Sequence, residues 1–307
     1  MKIYFAPLQG YTDAPYRNFH AEIYGGVEEY YTPFIRIERG ELRHRDVRDA
    51  LPENDRTGSL VPQIIVRDVE EFDFLVSRLM EMGNRRIDVN MGCPFPMQAR
   101  KGRGAGLLQY PERVAEILDA INRCDDVAFS IKMRLGNENA DECMALLPML
   151  NDTRLTHITM HPRIGVQQYK GEPDMEAFGR FVAECRRPIV YNGDILSVED
   201  IAKIGNAYPE IQGVMIGRGL LMRPSLAFEY GECIEMDEAE RMARIWQLHD
   251  GLMEHYSQQL QSDGHLLAKM QTFWEYLEPQ IGHKAYKGIK KAVTMAKYNA
   301  ALTKIEA

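Results

Sequence analysis

Short runs rich in β-branched and apolar residues recur along this chain at 3–6, 30–35, 61–66, 87–90, 128–133, 157–160, 188–191 and 213–216. Between most of them the apolar residues change to helical spacing. Phe72, Leu75, Val76, Leu79 and Met80 fall on one face of 70–82, and Val114, Ile117, Leu118 and Ile121 on one face of 111–121. Strands too apolar to be half-exposed, most of them followed by an amphipathic helix, demand a parallel sheet covered by helices. Eight such units are the count of an α/β (β/α)8 TIM barrel. The second unit is the irregular one, because a charged run at 36–60 replaces a clean helix.

After residue 235 the rhythm changes. Asp237 with Glu240 matches a capping box, and Met242, Ile245, Leu248, Leu252, Tyr256 and Leu260 line one face of a long helix. Helical stretches at 266–277 and 286–302 follow. The 307 residues therefore divide into a barrel over 1–234 and a small C-terminal all-helical domain over 235–307. With 45% apolar and 27% charged residues the chain is globular in composition, and no apolar run reaches the roughly 18 residues of a membrane helix. The N-terminal MKIYFAPLQG meets Gln9 and Gly10 too soon for a secretory core, so no membrane association is expected and the expected location is the cytoplasm. Five widely spaced cysteines without a CxxC pair argue for reduced thiols, with neither a disulfide framework nor a metal site. A monomer is the default expectation.

In a parallel barrel the residues just after each strand gather at one face, where active sites sit. Here they are Pro7-Leu8-Gln9-Gly10, Gln63, Asn90-Met91-Gly92-Cys93, Lys132-Met133-Arg134, His161-Pro162-Arg163, Asn192-Gly193-Asp194 and Gly217-Arg218-Gly219. A scaffold alone has no need of amides, a lysine, a histidine and a cysteine at the same end. The glycine turns after the last two strands suit a phosphate held by backbone N–H groups, although either alone also reads as an ordinary turn. Gln63, Asn90, Lys132 and His161 are singly unremarkable; as a set they suit a flavin ring, whose pyrimidine edge alternates donors and acceptors and gathers negative charge near N1 on reduction. Lys132 is the candidate for that charge. Cys93, between Gly92 and Pro94, can serve as a general acid, or as a nucleophile beside a base; free cysteines are otherwise small buried hydrophobes. Cys124, Cys143, Cys185 and Cys233 fall in or beside helical stretches and read as structural.

The formal net charge is −8, yet residues 279–305 contain no Asp or Glu and carry six lysines. Lys284, Lys287 and Lys291 follow helical spacing with Tyr286 and Tyr298 nearby, a surface suited to a phosphate backbone or simply to water. Arg100, Lys101 and Arg103 beside Cys93, and Arg36, Arg39, Arg43, His44, Arg45 and Arg48, add charge at the barrel mouth. Positive charge on both regions points to a polyanion that spans them.

The ordered motifs APLQGYTD, VPQIIV, DVNMGCPFPMQARKGRGAGLL, SIKMRLG, MHPRIGVQQYKG, YNGDI and VMIGRGLLMRP together resemble the tRNA-dihydrouridine synthases across almost the whole barrel. The resemblance implies an FMN flavoenzyme that uses NADPH and transfers hydride from flavin N5 to C6 of a uridine in tRNA. It implies Cys93 as the proton donor to C5, and FMN contacts at Pro7, Leu8, Gln63, Lys132, His161, Asn192, Asp194, Gly217 and Arg218. Asn90 and Arg163 would face the uracil. The family's usual HGR stands here as His161-Pro162-Arg163, and Leu8-Gln9 replaces a common Met-Glu. The other readings are an FMN barrel dehydrogenase acting on a free pyrimidine, similar to dihydroorotate dehydrogenase, and a non-catalytic RNA-binding barrel. The first has no use for a basic helical tail and the second would bind no flavin.

Overall fold

The computed structural model describes residues 1–305. Its nine parallel strand segments are β1 (Lys2–Phe5), β2 (Glu29–Tyr31), β3 (Leu60–Val61), β4 (Gln63–Ile64), β5 (Arg86–Met91), β6 (Ala128–Gly136), β7 (Leu155–Ile164), β8 (Ile189–Asn192) and β9 (Gly213–Ile216). They pair in the order β3-β2-β1-β9-β8-β7-β6-β5-β4. The two ends of this order, β3 and β4, are consecutive in sequence and separated only by Pro62, so the chain itself closes an eight-position barrel. Sequence places one strand at 61–66; the proline, lacking an N–H, splits it, while the Pro62 carbonyl still accepts from Asp88 N at 2.9 Å.

The strand sequences sort their own side chains by alternation. Ile87, Val89 and Met91, then Phe129, Ile131 and Met133, pack outward into the core shared with the helices. The intervening Asp88 and Asn90, Ser130, Lys132 and Arg134, and His157, Thr159, His161 and Arg163 face inward. Register sets Asp88 beside Ser130 and Asn90 beside Lys132. It sets Lys132 beside Thr159 and Arg134 beside His161. The opposite wall of the interior is apolar, with Tyr4, Ala6, Tyr31, Val61, Val190 and Met215 in one cluster. The barrel is thus filled by side chains, polar on the β5–β7 side.

The irregular second unit resolves into an antiparallel hairpin, Ile37–Glu38 with Glu41–Leu42, followed by a short helix, His44–Ala50. Arg39 and Gly40 turn the hairpin with positive φ. It stands at the barrel's C-terminal mouth. Helices covering the barrel begin at side-chain caps: Asp68 accepts from Glu71 N, Asp174 from Ala177 N, and Ser197 forms a capping box with Asp200.

The C-terminal region begins with the helix Glu238–Gln259, capped by Asp237. This helix packs on Ala14–Ile23 of the barrel. Gly251 allows the approach, since a Cβ there would lie 2.7 Å from the Phe19 ring. Tyr256 donates to Asp13 at 2.8 Å and Lys269 pairs with Asp13 at 2.8 Å, which ties the helices to the β1 loop. The stretch expected as one helix at 286–302 is two, His283–Lys290 and Met295–Leu302, because Thr294 starts a new helix by accepting from Lys297 N. Tyr298 is not beside the lysines on the surface. It is fully buried, accepting from Trp274 Nε1 and bonded to His249 Nε2, each at 2.8 Å. Among the described residues no helix is long and apolar enough to cross a membrane.

Candidate active site

A cavity of about 620 Å³ opens at the C-terminal end of the barrel, a size suited to one cofactor with room for a substrate group. Cys93, Asn90, Gln63, Lys132, His161, Pro7, Leu8, Asn192, Asp194, Gly217 and Arg218 all line it. Strand ends at β1, β4, β5, β6, β7, β8 and β9 bring these residues together from across the chain. Its walls carry Arg36, Arg43, Arg45, Lys132, Arg134 and Arg218 against a single carboxylate, Asp194. In a chain of net charge −8, that concentration of cations marks a pocket for an anionic ligand.

The Cys93 loop is held from three sides. Asn90 Oδ1 accepts from Gly92 N at 3.0 Å and Cys93 N at 2.8 Å. Arg134 Nε donates to Gly92 O at 3.0 Å. Ala105 N donates to Cys93 O at 3.0 Å, and Gly104 permits this closeness, as its φ is +58° and a Cβ would sit 2.6 Å from Cys93 O. Burial pushes the thiol above its ordinary range, against the lowering pull of a backbone hydrogen bond at Phe95 and of Arg134, Lys132 and Arg36. At neutral pH it holds its proton. That suits a proton donor and not a resting thiolate nucleophile.

Burial also pushes the Lys132 ammonium down to about 8, with Arg134 adding repulsion. Its Nζ donates to Asn192 Oδ1 at 2.7 Å, so two of the three ammonium protons are left for a ligand in the cavity. His161 is held neutral by burial and by Arg134, Lys132, Arg163 and Arg218 around it. Arg163 Nη1 lies 3.1 Å from His161 Nε2. Since a guanidinium only donates, Nε2 accepts and the ring proton sits on Nδ1.

Three expected ligand-facing residues are held by other side chains. Arg163 does not reach the cavity; it is 1% exposed and pairs with Asp194 and with Gly171 O behind the wall. Asp194 stands at the cavity wall. Burial alone would raise its pKa, but the Arg163 hydrogen bond and charge, with Arg218, hold it below the usual carboxylate range, so it has no proton to offer. It also fixes Arg218, at 2.8 Å. Arg103, expected on the basic surface, is buried against Glu71 in a two-pronged ion pair. Arg100 and Lys101 are exposed beyond the cavity rim, and Lys284, Lys287 and Lys291 are exposed on the helical region.

Other residues gained importance. Arg134 stacks its guanidinium over Tyr169, whose ring also lies 4.7 Å beneath Arg218. The signal for Arg134 was its spacing two residues after Lys132, which puts both on the inward face of β6. Tyr169, Phe34 and Phe95 line the cavity from loops, where no periodicity points to them.

A model of the dihydrouridine synthase family (Dus) matches residues 4–306. The chain belongs to the dihydrouridine synthase family. It is therefore an oxidoreductase, with its strand-end residues at the expected barrel face. It is similar to tRNA-dihydrouridine(16) synthase of Pseudomonas syringae pv. tomato, with 32% identity over 238 residues covering 74% of each chain. It is 26% identical to tRNA-dihydrouridine synthase B of Vibrio cholerae over 280 residues, covering 91% of this chain and 83% of the other. Among solved structures the fold is similar to histamine dehydrogenase from Rhizobium sp. 4-9 (TM-score 0.56, 12% identity, 89% of this chain and 49% of that one). It is also similar to morphinone reductase (TM-score 0.53, 10% identity, 77% and 87%). This synthase thus shares its barrel with proteins of very different sequence.

Proposed function

We propose that this synthase reduces uridine to 5,6-dihydrouridine in tRNA with FMN as cofactor and NADPH as reductant. The observation that carries the reading is the pairing, in one cavity of a family member, of a thiol kept protonated by burial with a partly buried ammonium that spends one of its three protons on Asn192. The cavity chemistry fits a flavin phosphate. Lys132 and the amide of Gln63 would meet the polar edge of the ring, with His161 supplying an Nδ1–H. Pro7 and Leu8 would pack against it, while Asn192, Gly217 and Arg218 would hold its phosphate end. When bound, the flavin supplies the hydride that reaches uracil C6.

The chain's own residues do the rest. Cys93 delivers the proton to C5, and Asn90, Arg134 and Ala105 keep its loop in place. One Asn90 Nδ2 proton is committed to Gln63, which leaves the second for the uracil while Oδ1 places the loop. Arg36, Arg43 and Arg45 at the mouth, Arg100 and Lys101 beyond it, and Lys284, Lys287 and Lys291 on the helical domain supply charge for the RNA backbone. A uridine must leave its stack to enter so enclosed a cavity. This reading places the enzyme beside its tRNA in the cytoplasm.

The test is nucleoside mass spectrometry of dihydrouridine-free tRNA after incubation with the protein and NADPH. A uridine heavier by two hydrogens is the expected product. Absence of that product from a yellow, NADPH-oxidising protein would overturn the substrate and leave free pyrimidines as the alternative.

A further inference from the structure

Beneath the Cys93 loop runs a continuous hydrogen-bonded chain that the cavity lining does not reveal. Ser130 Oγ donates to Asp88 Oδ1 at 2.6 Å and Gln63 Nε2 donates to Asp88 Oδ2 at 2.7 Å. Asn90 Nδ2 donates to Gln63 Oε1 at 2.8 Å, and Asn90 Oδ1 accepts from the backbone of Gly92 and Cys93. Asp88 and Gln63 are 0% exposed. Asp88 lies one inward layer below Asn90 and Lys132 and is not among the residues that line the cavity.

The two ends of this chain are chemically one-way. A carboxylate only accepts and a backbone N–H only donates. Between them, each amide has one orientation that satisfies both neighbours. Turning both amides over would set the Gln63 carbonyl against Asp88 and the Asn90 NH2 against two N–H donors. We propose that Asp88 is a positioning residue: its carboxylate fixes the orientation of Gln63, through it that of Asn90, and so the backbone of Cys93. The consequence for proton delivery rests on the reading of Cys93 as the donor; the positioning itself does not.

A buried carboxylate is an expensive way to fill this layer. Among the described residues no lysine or arginine nitrogen pairs with it, and burial pushes its pKa up to about 6 despite Ser130, Gln63 and Lys132. An apolar side chain there would cost less. It could not orient an amide.

The experiment is peptide-resolved alkylation of Cys93 by iodoacetamide in the flavin-loaded protein, alongside dihydrouridine formation. D88A is expected to free the loop, raising Cys93 alkylation and lowering product formation by about tenfold each, whereas D88N retains both within about threefold. Asparagine can offer its oxygen to Gln63 and its NH2 to Ser130. N90D keeps the acceptor for Cys93 N but sets two acceptors against each other at Gln63, so it is expected to behave as D88A does. Combining D88N with N90D lets Gln63 turn over, and recovery of about tenfold relative to N90D alone is expected.

Wild-type alkylation and turnover in D88A would overturn the proposal, as would a D88N/N90D protein no better than N90D. Should D88A lose its thermal transition, the N90D pair decides. If alkylation follows this pattern while no form, wild type included, reduces tRNA, the positioning stands and the functional reading falls.

Discussion

Lys132 on β6 reaches across the barrel mouth to donate to Asn192 on β8 at 2.7 Å. No carboxylate pairs with its ammonium among the described residues, and burial with the charge of Arg134 outweighs the pull of Asp88. The site therefore holds a cation that the folded protein alone barely accommodates.

Replacing Lys132 by Met is expected to stabilise the cofactor-free protein at pH 7 by about 1–3 kcal/mol, discounted for screening by water in the cavity, while abolishing flavin binding. The sign follows from the depressed pKa. The folded state sheds the proton near pH 8 and the unfolded chain only near 10.5, so the cost of the charge is full below 8 and fades as pH rises between the two. Urea denaturation of both proteins at pH 7 and pH 10 checks it; a less stable variant at pH 7 would refute the argument.

Cys93→Ala is expected to keep the fold, the flavin spectrum and flavin reduction by NADPH, and to stop tRNA reduction. Because burial raises the thiol's pKa, wild-type tRNA reduction should be flat through neutral pH and fall only in alkali, as the donor ionises. Single-turnover flavin reoxidation by tRNA across pH measures this. A profile that rises through alkaline pH would make the thiolate the active form.

Arg103 belongs to the scaffold. Its ion pair with Glu71 is buried on both sides, so Arg103→Ala leaves the buried Glu71 carboxylate with only the half-exposed Arg67 guanidinium, 3.2 Å away, and should cost about 1–3 kcal/mol. Chemical denaturation reads the loss. If the variant is as stable as wild type but binds tRNA more weakly, the surface role returns.

The exposed lysines are expected to do the opposite. Changing Lys284, Lys287 and Lys291 together to Ala should leave stability and flavin spectrum unchanged. It should weaken tRNA binding and lower the slope of log affinity against log salt by about 2–3. Fluorescence anisotropy at several salt concentrations gives that slope, and an unchanged one would make this face a solvated surface.

The sequence alone determined the barrel, because apolar runs recur eight times with helical spacing between most of them, and both are local signals. It also located the strand ends, since a parallel barrel must put them at one face. The apolar–polar alternation of DVN, SIKMR and HITMHPR even encodes which residues point inward. What only the tertiary structure decided is whom a charged or hydroxyl group meets. Arg103 finds Glu71, Arg163 finds Asp194 and Tyr298 finds Trp274 across separations of 32, 31 and 24 residues. A buried polar group must be satisfied by whatever neighbour the fold supplies, and composition near it in the sequence carries no trace of that neighbour. Lysines such as Lys284, which need only water, could be read as exposed; arginines with partners far along the chain could not be read as buried.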